Sequence, residues 1–390
     1  MKVIKLSALL TAVAAWVGIG NAAEPGPSTS VRPKSGTEIV TRLEKPTRAG
    51  KLDERDMAGY LLVYFKDETH SAYFAISRDG YSFTDINGGQ PVLNGADIAE
   101  QKGVRDPHIA RGPDGAFYLS MTDLHVNGQR AGVRTTPWER PEPQYGWGNN
   151  RALVLMKSFD LVHWTHADFR IDQAFPEFAE VGCIWAPQTI FDEAKGKMMI
   201  YFTAKIGRGV DDLYSAYTDD AFTKIETKPE RYFHFPYPDG PLSDDVRNKH
   251  HVIDGDITKV GDKFHLFYSS KENGTPGIEH AVSDKINAGY PIVQKRVDPE
   301  TFACEAPNVF KRIGTDTYVL MYDAYGAPGG GNMGFAETTD FVTFKNIGLF
   351  NAGAMKGTNF NRPKHGAVMH LTLDELKSVA AHWGVDFQSK

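Results

Sequence analysis

Three acids stand in short, mostly apolar phrases: Asp106 in VRDPHI (104–109), Asp254 in VIDGDI (252–257) and Glu305 in CEAPNVF (304–310). Two carboxyls held in different ionisation states can act as general acid and general base. Each acid alone has a structural explanation. Asp before Pro starts turns, Asp254 and Asp256 flank a Gly, and Glu305 could pair with a surface Lys. Together they point to catalysis, because clustered carboxylates repel one another and cost stability unless function needs them. Two related phrases carry Trp185 (IWAPQTI, 184–190) and His365 (RPKHGAVMH, 362–370).

The elements that must bring these residues together repeat along the chain. A Gly or Asp turn followed by an aromatic-rich strand occurs as GYLLVYF (59–65), DGAFYLSMT (114–122), KGKMMIYFT (195–203), GDKFHLFYS (261–269) and TDTYVLMYD (315–323). A second strand follows each, as in YFAISRDGYSF (73–83) and MGFAETTDFVTF (333–344). Five copies of one two-strand phrase predict an all-β, five-bladed β-propeller; a sandwich would not repeat it in order. The three acid-bearing phrases and IWAPQTI each precede one copy, four copies in all. The copy at 59–83 lacks one, so residues 362–370 are expected to supply its inner strand and tie the chain ends into one blade. Inner strands line the central channel, so Asp106, Asp254, Glu305, Trp185 and His365 would converge on one axial pocket. A single helix is expected at 371–383, where Thr372 and Glu375 have capping-box spacing.

Residues 1–23 read as a secretory signal, with MKVIK, an apolar run and small residues before cleavage at Ala22 or Ala23. A secreted or periplasmic protein is expected, with a linker over 24–56 and the catalytic propeller over 57–390. No later stretch offers the ~20 continuous apolar residues of a spanning helix, so no membrane insertion is expected. The net charge of −6 with scattered basic residues argues against nucleic acid. A monomer is expected. The two cysteines, Cys183 and Cys304, fall in blades separated by another and read as buried thiols. GAPGGGN (326–332) is a blade turn, since no Lys-Ser/Thr and helix follow it.

RDPHI, WAPQTIFDEAKGKMMIYFTA, IDGDITKVGDKFHLFYS, CEAPNVFKRIGTDTYVLMYD and RPKHGAV resemble the successive blade motifs of glycoside hydrolase family 43, in that family's order over about 100–370. The resemblance implies a five-bladed propeller that hydrolyses non-reducing-end arabinofuranosyl or xylosyl linkages with inversion. It implies Asp106 as general base, Glu305 as general acid, and Asp254 as the acid that tunes and orients the pair. The chain departs from the family at Ala306, where Gly is usual, and at Gly255, where Pro is usual. Asp256 shares a strand face with Asp254 and competes for the third role. Inversion requires the two working carboxyls ~6.5–9.5 Å apart, and blades across a channel can provide that gap. Glu305 must keep its proton near neutral pH, and a neighbouring carboxylate such as Asp254 would help it do so.

Trp185 offers either a flat floor for a sugar ring or a core side chain between blades. His365 is read as a substrate contact that holds water or, by the resemblance, a cation such as axial Ca2+ through water; no cofactor is required. His108, His250, His251 and Arg362 are further candidate substrate contacts on the same rim, and their spacing fits no zinc motif. The long segments 126–150, with Trp138, Tyr145 and Trp147, and 229–251 are read as loops, the first shaping the leaving-group side. The expected activity is that of an α-L-arabinofuranosidase on plant-type carbohydrate, with β-xylosidase or β-galactofuranosidase as alternatives. A fructosidase is disfavoured because no Asn-Asp-Pro-Asn-Gly phrase precedes RDP. The non-enzymatic alternative is a carbohydrate-binding propeller.

Overall fold

The strands read as nearly continuous apolar runs because both of their faces are buried. In Met57–Lys66, Leu61 and Val63 enter one core cluster while Tyr60, Leu62 and Tyr64 enter another. Alternate residues of a strand point to opposite faces, so each sheet is shared between two cores. The computed structural model describes residues 36–45, 52–134, 149–207, 209–235, 243, 251–272 and 274–386. Five apolar clusters separate five sheets, one between each pair of neighbours.

The sheets are the blades of a propeller, numbered here I to V. Their inner strands are Lys364–Thr372 (I), Val104–Arg111 (II), Val181–Asp192 (III), Val252–Val260 (IV) and Glu305–Lys311 (V). Blade I has the anticipated closure: Lys364–Thr372 pairs antiparallel with Met57–Lys66, so both ends of the domain share one sheet. The helix Leu373–Trp383 follows, with the reciprocal Thr372–Glu375 capping box in place.

Several short pieces were not legible as strands, two of them in segments read as loop or linker. Glu230–Phe233, inside the segment read as a loop, is the outermost strand of blade III. At four residues on a sheet edge it is too short to display an alternating pattern. Within the expected linker, Glu38–Ile39 pairs in parallel with His163 and Trp164 at the edge of blade II. Residues 1–23 and the aromatic positions 138, 145 and 147 lie outside the described residues, as does His250.

Each inner strand carries a bulge at the same place. Two of its residues face one on the neighbouring strand at 106–107, 186–187, 254–255, 306–307 and 365–366. The first residue of four of these bulges has positive φ: Asp106 (52°), Ala186 (46°), Asp254 (57°) and Ala306 (57°). Pro or Gly follows each bulge residue, as suits positions taken out of the hydrogen-bonded ladder. Gly366 is obligatory in blade I, since a Cβ there would sit 2.0 Å from the Val63 carbonyl oxygen.

Candidate active site

The bulges sort the candidate residues into two rings. Asp106, Ala186, Asp254, Ala306 and His365 occupy the bulge position, while Arg105, Trp185, Ile253, Glu305 and Lys364 precede it. Asp106 and Glu305 therefore stand one register step apart in their blades. A bulge re-aims its side chain relative to the regular strand, which suits a site assembled from several blades.

His365 of blade I meets Asp106 of blade II, Nδ1 to Oδ1, at 3.2 Å. Burial would raise the Asp106 pKa, but the His365 charge, its hydrogen bond and a Thr122 hydroxyl bond at 2.8 Å outweigh it and hold the group at about 2. His365 shows the mirror effect. Burial disfavours the imidazolium, yet Asp106, Asp254 and Glu305 together lift it to about 9. At neutral pH this is a cation bonded to an ionised Asp106.

Glu305 behaves oppositely. Burial, then the Asp254 carboxylate, then Asp323, push its pKa up to about 8. Asp254 is itself raised by burial and by Asp106, against the pull of His365. Its backbone N–H donates to Thr203 Oγ1 of blade III at 3.0 Å, which pins the bulge between blades.

Asp256 is committed elsewhere. Its carboxylate accepts Asn308 Nδ2–H and Val309 N–H of blade V, each at 3.0 Å. Asn308 Oδ1 in turn accepts Val368 N–H of blade I at 3.0 Å, and the Tyr201 hydroxyl accepts Ile257 N–H at 3.0 Å. His108 belongs to the same belt, with Nδ1 accepting Thr189 N–H of blade III at 3.2 Å; burial pushes its pKa down to about 3. His108 thus joins two blades as a neutral ring and does not stand on the rim.

The other candidates are more dispersed. Trp185 is half-buried at the position before its bulge. His251 bonds Asp211 Oδ2 at 3.0 Å and acts electrostatically on Asp254. Arg362 is exposed, with φ 49°. Both cysteines are free and buried.

A cavity of about 540 Å³ opens beside Glu305, walled by Arg105, Lys364, Asp67 and Tyr325. Its size is that of a small-molecule pocket. Asp67 joins two of these cations, accepting Arg105 Nη1 at 2.8 Å and pairing with Lys364 Nζ at 3.1 Å. Arg105 and Lys364 were detectable in the sequence as immediate neighbours of Asp106 and His365. Asp67 carried no such signal, because it lies between the two strands of blade I outside every repeated phrase.

The two departures from the family pattern have local explanations. A Cβ at position 255 would lie 2.8 Å from both Leu213 Cδ1 and the Tyr232 hydroxyl oxygen, so proline there would require these side chains to shift. Ala306 simply bears the left-handed backbone that glycine would adopt freely. For a bound cation, the described residues contain no group of three or more His, Cys, Asp or Glu disposed as metal ligands. His365 Nδ1 is engaged with Asp106, and Ca2+ prefers six to eight oxygens. These residues do not form a protein-ligated calcium site. Among the described residues, no helix is long and apolar enough to cross a membrane.

The chain is similar to several solved structures at low sequence identity. The chain shares 14% identity with a Cellvibrio cellulosa α-L-arabinanase solved with arabinohexaose, over 77% of this chain and 93% of that one, at TM-score 0.47. It shares 13% with an exo-1,5-α-L-arabinanase from a bovine ruminal metagenomic library, over 74% and 92%, at TM-score 0.48. For a Coprinopsis cinerea family 62 α-L-arabinofuranosidase the identity is 16%, over 66% and 73%, at TM-score 0.43. No curated protein sequence matches. A family profile for the glycosyl hydrolase 43-related group, described as "Probable glycosyl hydrolase domain", matches residues 55–377. The chain, a five-bladed propeller with its acids gathered at the hub, belongs to the family-43-related glycosyl hydrolases and is a glycoside hydrolase.

Proposed function

We propose that the protein is an exported, inverting exo-glycosidase that removes α-L-arabinofuranosyl groups from plant-type oligosaccharides or polysaccharides. In this reading Asp106 is the general base, Glu305 the general acid, and Asp254 the carboxylate that keeps Glu305 protonated. β-Xylosyl and β-galactofuranosyl groups are the nearest alternative substrates. What supports the reading is the arrangement of the two acids: Asp106 pairs with His365 at 3.2 Å and is held near 2, while Glu305, opposite Asp323 on the wall of the cavity, is pushed up to about 8. Across the interval between them, one group can accept a proton from water while the other donates one to the departing oxygen.

Hydrolysis of a panel of aryl glycosides, with the anomer of the first product read by NMR, tests sugar and stereochemistry together. Asp106→Ala is expected to abolish turnover while sugar binding persists. Glu305→Ala is expected to lose about 10²–10⁴-fold on poor leaving groups and far less on activated ones. Wild-type rates in Asp106→Ala, or a first product of retained configuration, would refute the assignment. Binding without turnover on every glycoside would favour the non-catalytic alternative.

A further inference from the structure

The residue opposite the pre-bulge position follows a rule in three blades. Arg105 faces Thr122, Trp185 faces Thr203 and Ile253 faces Ser269 across the ladder. The hydroxyls join neighbouring blades: Thr122 accepts Ala186 N–H at 2.9 Å, Thr203 accepts Asp254 N–H at 3.0 Å, and Ser269 donates to the Cys304 carbonyl at 3.4 Å. Blades I and V depart from it, and in blade I Lys364 faces Phe65. In blade V, Glu305 faces Asp323, a carboxylate where blades II, III and IV have a hydroxyl.

Directly opposed residues on paired strands place their side chains on the same face, so this substitution sets a second acid beside Glu305. Asp323 is almost wholly buried, and its Oδ1 has no hydrogen-bond partner. Its Oδ2 lies 3.6 Å from Lys364 Nζ, the ammonium that also contacts Asp67 at 3.1 Å. A blade-joining role would be met by Thr or Ser without the cost of burying a charge. The charge itself is therefore the feature to be explained.

We propose that Asp323 is a positioning residue for Glu305, one that keeps the acid loaded with its proton between turnovers, and that Lys364 is the counter-cation that limits this effect. The proposal rests on the reading of Glu305 as the general acid. Glu305 is faced by Asp254 from blade IV, Asp323 from its own blade, Lys364 and His365 from blade I, and Tyr325 beyond Asp323. Asp323 is faced by Lys364, His365, Asp67 and Arg105. Asp254 and Asp323 oppose the ionisation of Glu305, while Lys364 and His365 favour it. Removing Asp323 and removing Lys364 must therefore have opposite effects, which no common loss of packing would imitate.

The test is the pH profile of kcat/KM on an unactivated glycoside, for which acid catalysis is needed. Asp323→Asn and Asp323→Thr, the latter supplying the hydroxyl found in blades II, III and IV, should each move the alkaline limb down by about one unit or more. Lys364→Met should move it up. Glu305→Gln should abolish that limb in the residual rate. An unmoved limb in the Asp323 variants, with the limb still lost in Glu305→Gln, overturns the proposal and leaves the general acid standing. A shift in the same direction for Asp323→Thr and Lys364→Met also overturns it. Persistence of the limb in Glu305→Gln removes both the proposal and the reading beneath it.

Discussion

His365→Asn takes away the cation that His365 holds against the proposed base. At the observed 3.2 Å, with an effective dielectric constant of about 20, that ion pair contributes ~5 kcal/mol, or roughly four pKa units. Asp106, now near 2, would then titrate at roughly 6. The same imidazolium lowers the pKa of Glu305, now about 8, so its removal raises that group as well. Both limbs of the kcat/KM profile should move to higher pH, and the optimum should move with them. On an unactivated arabinoside at about pH 5 the variant should lose about tenfold, with the rate recovering as Asp106 ionises. A thermal melt at each pH separates this effect from unfolding. Limbs that remain in place, or that move in opposite directions, would show that His365 does not set the charge of Asp106.

Asp254→Asn keeps a residue that tolerates the left-handed backbone and removes only the charge, so the alkaline limb should fall by about one to two units; an unchanged limb would exclude Asp254 as the modulator. Asp256→Ala leaves Asn308 Nδ2 and Val309 N–H without their acceptor, and urea unfolding should register a loss of about 2–4 kcal/mol while activity per folded molecule is retained. A catalytic Asp256 would instead lose activity at unchanged stability. Ala306→Gly should add about 1 kcal/mol by relieving a φ of 57°, seen as a raised melting temperature, and equal or lower stability would mean the bulge is not strained.

Much of the site could be read before the fold was known, for a physical reason. A blade is a local unit, so its turn, its aromatic strand and its inner phrase lie within a few dozen residues and recur visibly. The blade closed by Lys364–Thr372 was legible by subtraction, since one copy lacked its inner strand and one inner strand lacked its copy. The distinction between Asp254 and Asp256 was not legible. Both lie on one strand, but Asp254 occupies the bulge and meets the charges of His365 and Asp106, whereas Asp256 lies in the regular ladder and accepts from Asn308 and Val309 of the neighbouring blade. His108 was placed on the rim for the same reason, because Thr189, the partner that turns it into a joint between blades, is 81 residues away in sequence.

The one-dimensional pattern determined the number of blades, the order in which they close and which segments contribute acids, because these depend on strand periodicity and on turns within each repeat. Only the tertiary structure decided the ionisation of those acids. The same carboxyl chemistry yields a group near 2 beside His365 and a group near 8 beside Asp254 and Asp323. That difference arises from burial and from charges brought in by other blades, and Coulomb energy depends on distance in space, which sequence separation does not report.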